Sequence, residues 1–173
     1  MGLQETLAYR VTPANPLQRG TQRFASSRPG AWTFGHTAHR LDAWTLRLTG
    51  GRHTLAGIVA GIPVVTVTTT GRRSGRPRSS PLLAIPLGAD LALLGTNFGR
   101  ESMPAWVLNL TADPRATVTH GDRTAAVHAR PATPAEETEV LTAAARIYPG
   151  YDRYRERISG RAIPVLVLEE SPT

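Results

Sequence analysis

Val64-Val65-Thr66-Val67-Thr68-Thr69-Thr70-Gly71-Arg72-Arg73-Ser74-Gly75-Arg76-Pro77-Arg78 runs a block of β-branched residues straight into a turn. Valine and threonine suit a pleated, half-buried strand and lose rotamer freedom in a helix. The spacing predicts one strand over Ile62 to Thr70 and a returning strand over Arg78 to Leu87, joined by a tip bracketed by Gly71 and Gly75. That tip holds four arginines within seven residues, Arg72, Arg73, Arg76 and Arg78. They repel one another, and the cluster becomes favourable when a polyanion lies against it, because guanidinium groups make charge-assisted, often bidentate bonds to phosphate or carboxylate. Such bonds contribute roughly 1.5–3 kcal/mol each, less where salt screens them. A solvated hairpin tip is the other use of such a cluster.

Outward from this hairpin the period-two pattern continues. Leu91 to Thr96 follows across Gly88-Ala89-Asp90, a hairpin signal, and Arg115–His120 meets Arg123–Ala129 across Gly121-Asp122. Ile163 to Glu169 is a last strand. Pro104 and Asp113-Pro114 bracket a short helix carrying Trp106, Leu108 and Leu110. Thr133-Pro134-Ala135-Glu136 starts a further helix running to about Ile147. Six short strands with few helices predict an α+β chain built on a small, mostly antiparallel barrel or sandwich. Residues 1–30, rich in Pro, Gly, Ser, Thr and Arg, read as a flexible tail. Residues 31–173 are expected to form one domain, opening with an amphipathic helix at about 36–49 (Leu41, Trp44, Leu48). That helix either packs on the domain or lies weakly on a membrane surface.

The composition excludes several chemistries. There is no cysteine, hence no disulfide, thiolate nucleophile or cysteine metal site. All 20 basic residues are arginine, so there is no lysine for a Walker-type loop or a Schiff base. A net charge of +7 favours acidic partners. Nucleic acid is disfavoured because no aromatics interleave with the arginines of the turn. No apolar stretch has signal-peptide or membrane-spanning character, which makes a cytoplasmic protein the expectation, peripheral to the inner membrane face if the helix around Trp44 binds lipid.

Three constellations remain. Tyr148, Tyr151 and Tyr154 recur in Tyr-Pro-Gly-Tyr-Asp-Arg-Tyr, suiting equally the wall of a pocket for a flat conjugated molecule and a half-buried packing face. The helix opened by Pro104-Ala105-Trp106 presents free backbone N–H groups toward an anion or carbonyl, although Trp106 by itself is a natural core residue. Ser79-Ser80 follows the arginines and alone means little. His36 with His39 lacks an acidic partner for a metal site, and His120 and His128 read as structural. No metal centre and no catalytic triad are expected. A chain without its own reactive group points to a bound cofactor.

Four ordered stretches carry a resemblance: Thr68–Arg78, Pro104–Leu110 with Asp113-Pro114, Tyr148–Tyr154 and Arg161–Glu169. From about Leu41 to Glu169 the chain resembles the deazaflavin-dependent nitroreductase family, split β-barrel reductases of actinobacteria and relatives. They share the flavin-reductase and pyridoxamine-oxidase architecture and use reduced coenzyme F420. The resemblance implies hydride transfer from that coenzyme to an electron-poor acceptor such as a quinone, nitroaromatic or activated alkene. It implies that Arg72, Arg73 and Ser74 grip the acidic tail, and that Arg78, Ser79, Ser80, Pro81, Leu82 and Leu83 run beneath the phosphate and ring. Leu94, Gly95, Thr96 and Asn97 supply the neighbouring strand end, and Ala105, Trp106, Val107, Leu108 and Asn109 the helix contribution. Tyr151 lies nearest the coenzyme, and Leu83, Tyr148, Tyr151 and Tyr154 shape the substrate pocket. Tyr148 and Thr96 are the expected catalytic groups, stabilising charge on the acceptor, with Tyr148 or solvent supplying the proton.

Two positions depart from the family pattern. Asn97 stands where better-known members carry lysine, and Leu83 where nitroimidazole-activating members carry tyrosine. The resemblance therefore implies a deazaflavin reductase without fixing its substrate. The rival reading is an FMN-dependent split barrel, or one that holds flavin, heme or fatty acid without turnover. Both a monomer and a homodimer remain open.

Overall fold

The computed structural model describes residues 2–11, 27, 64–148 and 150–171. Strands β1 (Val64–Thr70), β2 (Pro77–Leu87), β3 (Asp90–Leu94), β4 (Arg115–His120), β5 (Arg123–Pro131) and β6 (Val165–Glu170) close into an antiparallel barrel in the order β1-β2-β3-β6-β5-β4. Among the described residues four helices accompany it: α1 (Leu3–Thr6), α2 (Ala105–Ala112), α3 (Pro134–Ile147) and α4 (Gly150–Arg157). The arginine-tipped ribbon is β1 paired with β2, in register from Val64 opposite Leu83 to Thr70 opposite Pro77. Val67 opposite Val118 brings β4 onto the other edge of β1 and closes the cylinder.

Side-chain alternation fills this barrel from within. Along β1, Val65, Val67 and Thr69 are buried while Val64, Thr66 and Thr68 are half-buried, as period two requires. Strands β3 and β6 are apolar on both faces, for a different reason. Leu91, Leu93, Leu166 and Leu168 join Val65, Val67, Val118 and Val127 in one core. Ala92, Leu94, Val165 and Val167 join Val140 and Ala144 of α3 and the three tyrosines in a second. A strand covered on both sides reads as an unbroken apolar run. Helix α3 begins as expected, with a reciprocal cap: Glu136 N–H donates to Thr133 Oγ1 and Thr133 N–H to Glu136 Oε2.

The N-terminal segment corrects an expectation. Residues 2–11, read as part of a flexible tail, are packed against the barrel. Leu3, Leu7 and Tyr9 belong to the first core, and Tyr9 donates its phenolic proton to Ala84 O at 2.6 Å. Gln4 Nε2 donates to Gly88 O and Asp90 O at 2.9 and 2.8 Å. The physical reason lies in two leucines four residues apart plus a nearby tyrosine; the Pro- and Gly-rich character begins only at Pro13. Apart from Ser27, the rest of that segment, together with His36, His39 and the helix expected at about 36–49, lies outside the described residues. Among the described residues no helix is long and apolar enough to cross a membrane.

Candidate active site

Gly71 holds the arginine turn together. Its N–H donates to Arg76 O at 2.9 Å, and its carbonyl accepts from Ser74 N–H and Gly75 N–H. Gly75 has φ +62°, a left-handed conformation that glycine adopts without steric cost. Arg72, Arg73, Arg76 and Arg78 are all exposed. Among the described residues none of the four has an ion pair.

What fixes the turn relative to the barrel is Asn109, 7% exposed on α2. Its Nδ2 donates to Thr69 Oγ1 at 3.0 Å and its Oδ1 accepts from Arg72 N–H at 3.1 Å. Thr69 Oγ1 in turn donates to Arg78 O at 3.3 Å. One buried amide thus ties both limbs of the hairpin to the helix. The sequence placed Asn109 among the coenzyme contacts, but its side chain is committed within the protein and acts on the arginines by positioning them.

The rest of the predicted site is spread along β2, the end of β3 and α2. Beyond Arg78, Ser79 is exposed with its Oγ 2.9 Å from Thr68 Oγ1. Ser80 and Pro81 are half-buried, and Leu82 and Leu83 turn to opposite cores. The end of β3 abuts α2: a Cβ added at Gly95 would lie 3.2 Å from Val107 Cγ2 and 2.6 Å from Pro164 Cγ. Leu94 and Thr96 are buried there, at 6% each. Ala105 is exposed at the first position of α2 and Leu108 is half-buried. Trp106 and Val107 face inward; the indole, expected to reach the coenzyme, is packed in the barrel core at 7% exposure.

After Thr96 the chain makes a tight turn, Asn97–Gly99, with left-handed backbone at three successive residues: φ is 46° at Asn97, 57° at Phe98 and 78° at Gly99. Strand β3 therefore ends at Leu94, two residues short of the expected boundary. Asn97 Nδ2 donates to Ser102 O and Oγ, at 2.9 and 3.0 Å. Arg161 fixes this segment from the other side, donating to Gly95 O, Thr96 O, Arg100 O and Glu101 O at 2.9–3.4 Å. Glu101 reciprocates by accepting from Ser159 N–H and Gly160 N–H, which holds its carboxyl below the ordinary range. The sequence reading missed this latch, whose partners stand about sixty residues apart and follow no periodicity.

The tyrosines do come together, as a buried cluster of touching rings. Tyr148, Tyr151 and Tyr154 are 5–6% exposed, with ring centroids 5.6–6.4 Å apart in edge-on or tilted geometry. The Tyr148 and Tyr154 hydroxyls lie 3.2 Å apart. Burial pushes all three phenols up, so they stay protonated at neutral pH. Gly150 makes the close packing feasible, since a Cβ there would run into the Tyr148 ring. His120 is structural, as expected: its Nδ1 lies 3.1 Å from Leu7 O, with the ring edge-on to Tyr9. Among the described residues no group of acidic and histidine side chains could hold a metal ion.

A sequence profile described as F420H(2)-dependent quinone reductase matches residues 38–170. The chain belongs to this family. Two of the solved structures similar to it are informative. One is described as an F420-H2 dependent reductase (FDR-A), 31% identical, with a TM-score of 0.57, covering 62% of this chain and 94% of that one. The other is described as a domain-swapped dimer, 30% identical, with a TM-score of 0.59, covering 82% of this chain and 99% of its own. Membership makes the chain an oxidoreductase that passes a hydride from reduced coenzyme F420 to an electron-poor acceptor. The six-stranded barrel is the scaffold for that chemistry.

Proposed function

We propose that coenzyme F420, rather than FMN, is held across the face formed by the arginine turn, the first half of β2, the end of β3 and the start of α2, and that a quinone or another flat electron-poor molecule is reduced beside it. The observation that carries this reading is the turn itself. Four exposed guanidinium groups have no ion-pair partner among the described residues, yet Asn109 ties the backbone of Arg72 directly, and that of Arg78 through Thr69, to the barrel. A solvated tip has no use for a buried anchor. A preorganised cationic cradle does, because ordering it in advance spares that cost on binding.

The donor set suits the coenzyme's anionic tail. Arg72, Arg73 and Ser74 offer charge-assisted hydrogen bonds to phosphate and carboxylate oxygens, and Arg78, Ser79 and Ser80 extend them along β2. The coenzyme supplies the hydride when bound. The chain's own contribution is placement: Pro81, Leu82 and Leu83 on one side, Gly95 and Thr96 on the other, with Ala105 and the free N–H groups at the start of α2 beside them. Thr96 and those N–H groups are the donors to charge developing on the acceptor. Tyr148 remains a protonated phenol, and its hydroxyl, 3.2 Å from that of Tyr154, is the proposed proton source in competition with water. Tyr151 and Leu83 form the pocket wall behind it. The domain-swapped relative supports a homodimer as the assembly to test.

Mixing the protein with reduced coenzyme F420 and menadione, and following coenzyme oxidation, tests the reading. Saturable turnover is expected, with none when reduced FMN or NADPH replaces the coenzyme. Turnover with reduced FMN alone would assign the cradle to the other cofactor.

A further inference from the structure

Phe98 sits in a backbone conformation that its side chain disfavours. Its φ and ψ of 57° and 26° are left-handed, a region that a bulky residue occupies only as an outlier. Its neighbours have local reasons to be there. Asparagine tolerates this region, and Asn97 gains two hydrogen bonds to Ser102. Gly99 carries no Cβ. Phe98 has neither compensation, and at 37% exposure it is, among the described residues, the one large hydrophobic side chain left exposed. Such strain persists where the surroundings impose it, and it clusters at functional sites. Here Arg161 grips the carbonyls of Thr96 and Arg100 on either side of the turn.

The position gives the strain a use. Phe98 follows Thr96 by two residues, and its ring meets the Tyr154 ring edge-on, with centroids 6.4 Å apart. Tyr154 is hydroxyl-linked to Tyr148. The exposed face of Phe98 therefore extends the tyrosine cluster outward to the solvent rim of the proposed acceptor pocket. A ring kept for stability alone would be expected to combine full burial with a relaxed backbone, and this one has neither.

We propose that Phe98 is a specificity-determining residue for the acceptor, its ring forming the outer wall against which a flat aromatic acceptor of the naphthoquinone type stacks. This rests on the reading of the adjoining face as the reductase site. Aromatic stacking rewards a planar ring system and gives little to a small aliphatic enone, so the same residue sets a preference between acceptor classes.

Phe98→Gly relieves the strain and removes the wall; Phe98→Tyr keeps the wall. The glycine variant is expected to hold its Tm or gain about 2–4 °C. Its KM for menadione should rise about tenfold, with kcat and coenzyme Kd within about twofold of wild type. The KM for cyclohex-2-en-1-one should not move, and Phe98→Tyr should behave as wild type. The proposal is overturned by a menadione KM that stays put, by equal shifts for both acceptors, or by a fall in Tm, which would make the ring a structural cover. If the wild type fails to bind the coenzyme, the proposed function fails separately. Equilibrium titration of menadione into the coenzyme-free protein then decides: tenfold weaker binding by the glycine variant supports Phe98, whereas equal binding or none by either protein overturns it.

Discussion

Replacing Asn109 by alanine removes both hydrogen bonds that join the arginine turn to α2. At about 0.5–1.5 kcal/mol net for each bond, and with the Arg72 N–H able to regain water at an exposed turn, the loss is about 2 kcal/mol. For a chain of this size that lowers Tm by about 4–8 °C. The effect on the ligand is separable. Freeing the backbone of Arg72 and Arg73 means ordering two residues on binding, at roughly 1–2 kcal/mol each. The bonds from Gly71 to Arg76 and Gly75 survive the substitution, so only part of that cost applies, and coenzyme affinity should fall about 10- to 30-fold. The assay is a fluorescence titration at 25 °C with coenzyme F420 and with a deazaflavin lacking the phosphate and glutamate tail. Only the tailed ligand should weaken, and Asn109→Asp, which keeps the acceptor for Arg72 N–H, should lie between wild type and alanine. Equal weakening of both ligands, or of neither, would refute the assignment of Asn109 as the residue that positions the cradle.

Tyr148→Phe should lower kcat by at least about tenfold, less than the full effect of a general acid because water can substitute, while coenzyme Kd stays unchanged; an unaltered kcat removes the phenol from the donor role. Gly150→Ala drives a methyl into the Tyr148 ring and should cost about 1–3 kcal/mol by overpacking, read as a lower urea midpoint; an unchanged midpoint would show that the tyrosine cluster is loosely packed. Glu136 is held down from 4.5 to about 2, first by its hydrogen bond from Arg130 and then by that from Thr133 N–H. Because the folded value is the lower one, this contribution is complete above pH 4.5 and is lost as pH falls toward 2. The Tm of wild type should therefore drop more steeply across that window than the Tm of Glu136→Gln, and parallel profiles would contradict the assignment.

The barrel was legible because its signals are local and periodic. The β-branched run into Gly71, the turn glycines at Gly88 and Gly121, and the Thr133–Glu136 cap each specify structure within a few residues. The arginine cluster was legible for the same reason: four like charges in one turn are conspicuous whatever surrounds them. Other features depend on partners far away in the chain. Asn109 meets Arg72 across 37 residues, and Arg161 meets Gly95 across 66; single polar residues carry no period that announces such pairs. The packed N-terminus was missed because its signal is two leucines and a tyrosine beside a long Pro- and Gly-rich stretch. Trp106 and the tyrosines were ambiguous by chemistry, since an aromatic ring serves a core and a pocket equally well. Phe98 drew no notice because an aromatic in a loop is ordinary until its backbone dihedrals are known.

The central claim is that the guanidinium groups of one pinned turn bind the anionic tail of coenzyme F420. Isothermal calorimetry of the coenzyme into wild type and into the Arg72→Ala, Arg73→Ala double variant measures this directly. The expected result is saturable heat for wild type that weakens with added salt, and an affinity lower by at least about tenfold in the double variant. No saturation by the coenzyme together with tight binding of FMN, or equal affinity in both proteins, would contradict it.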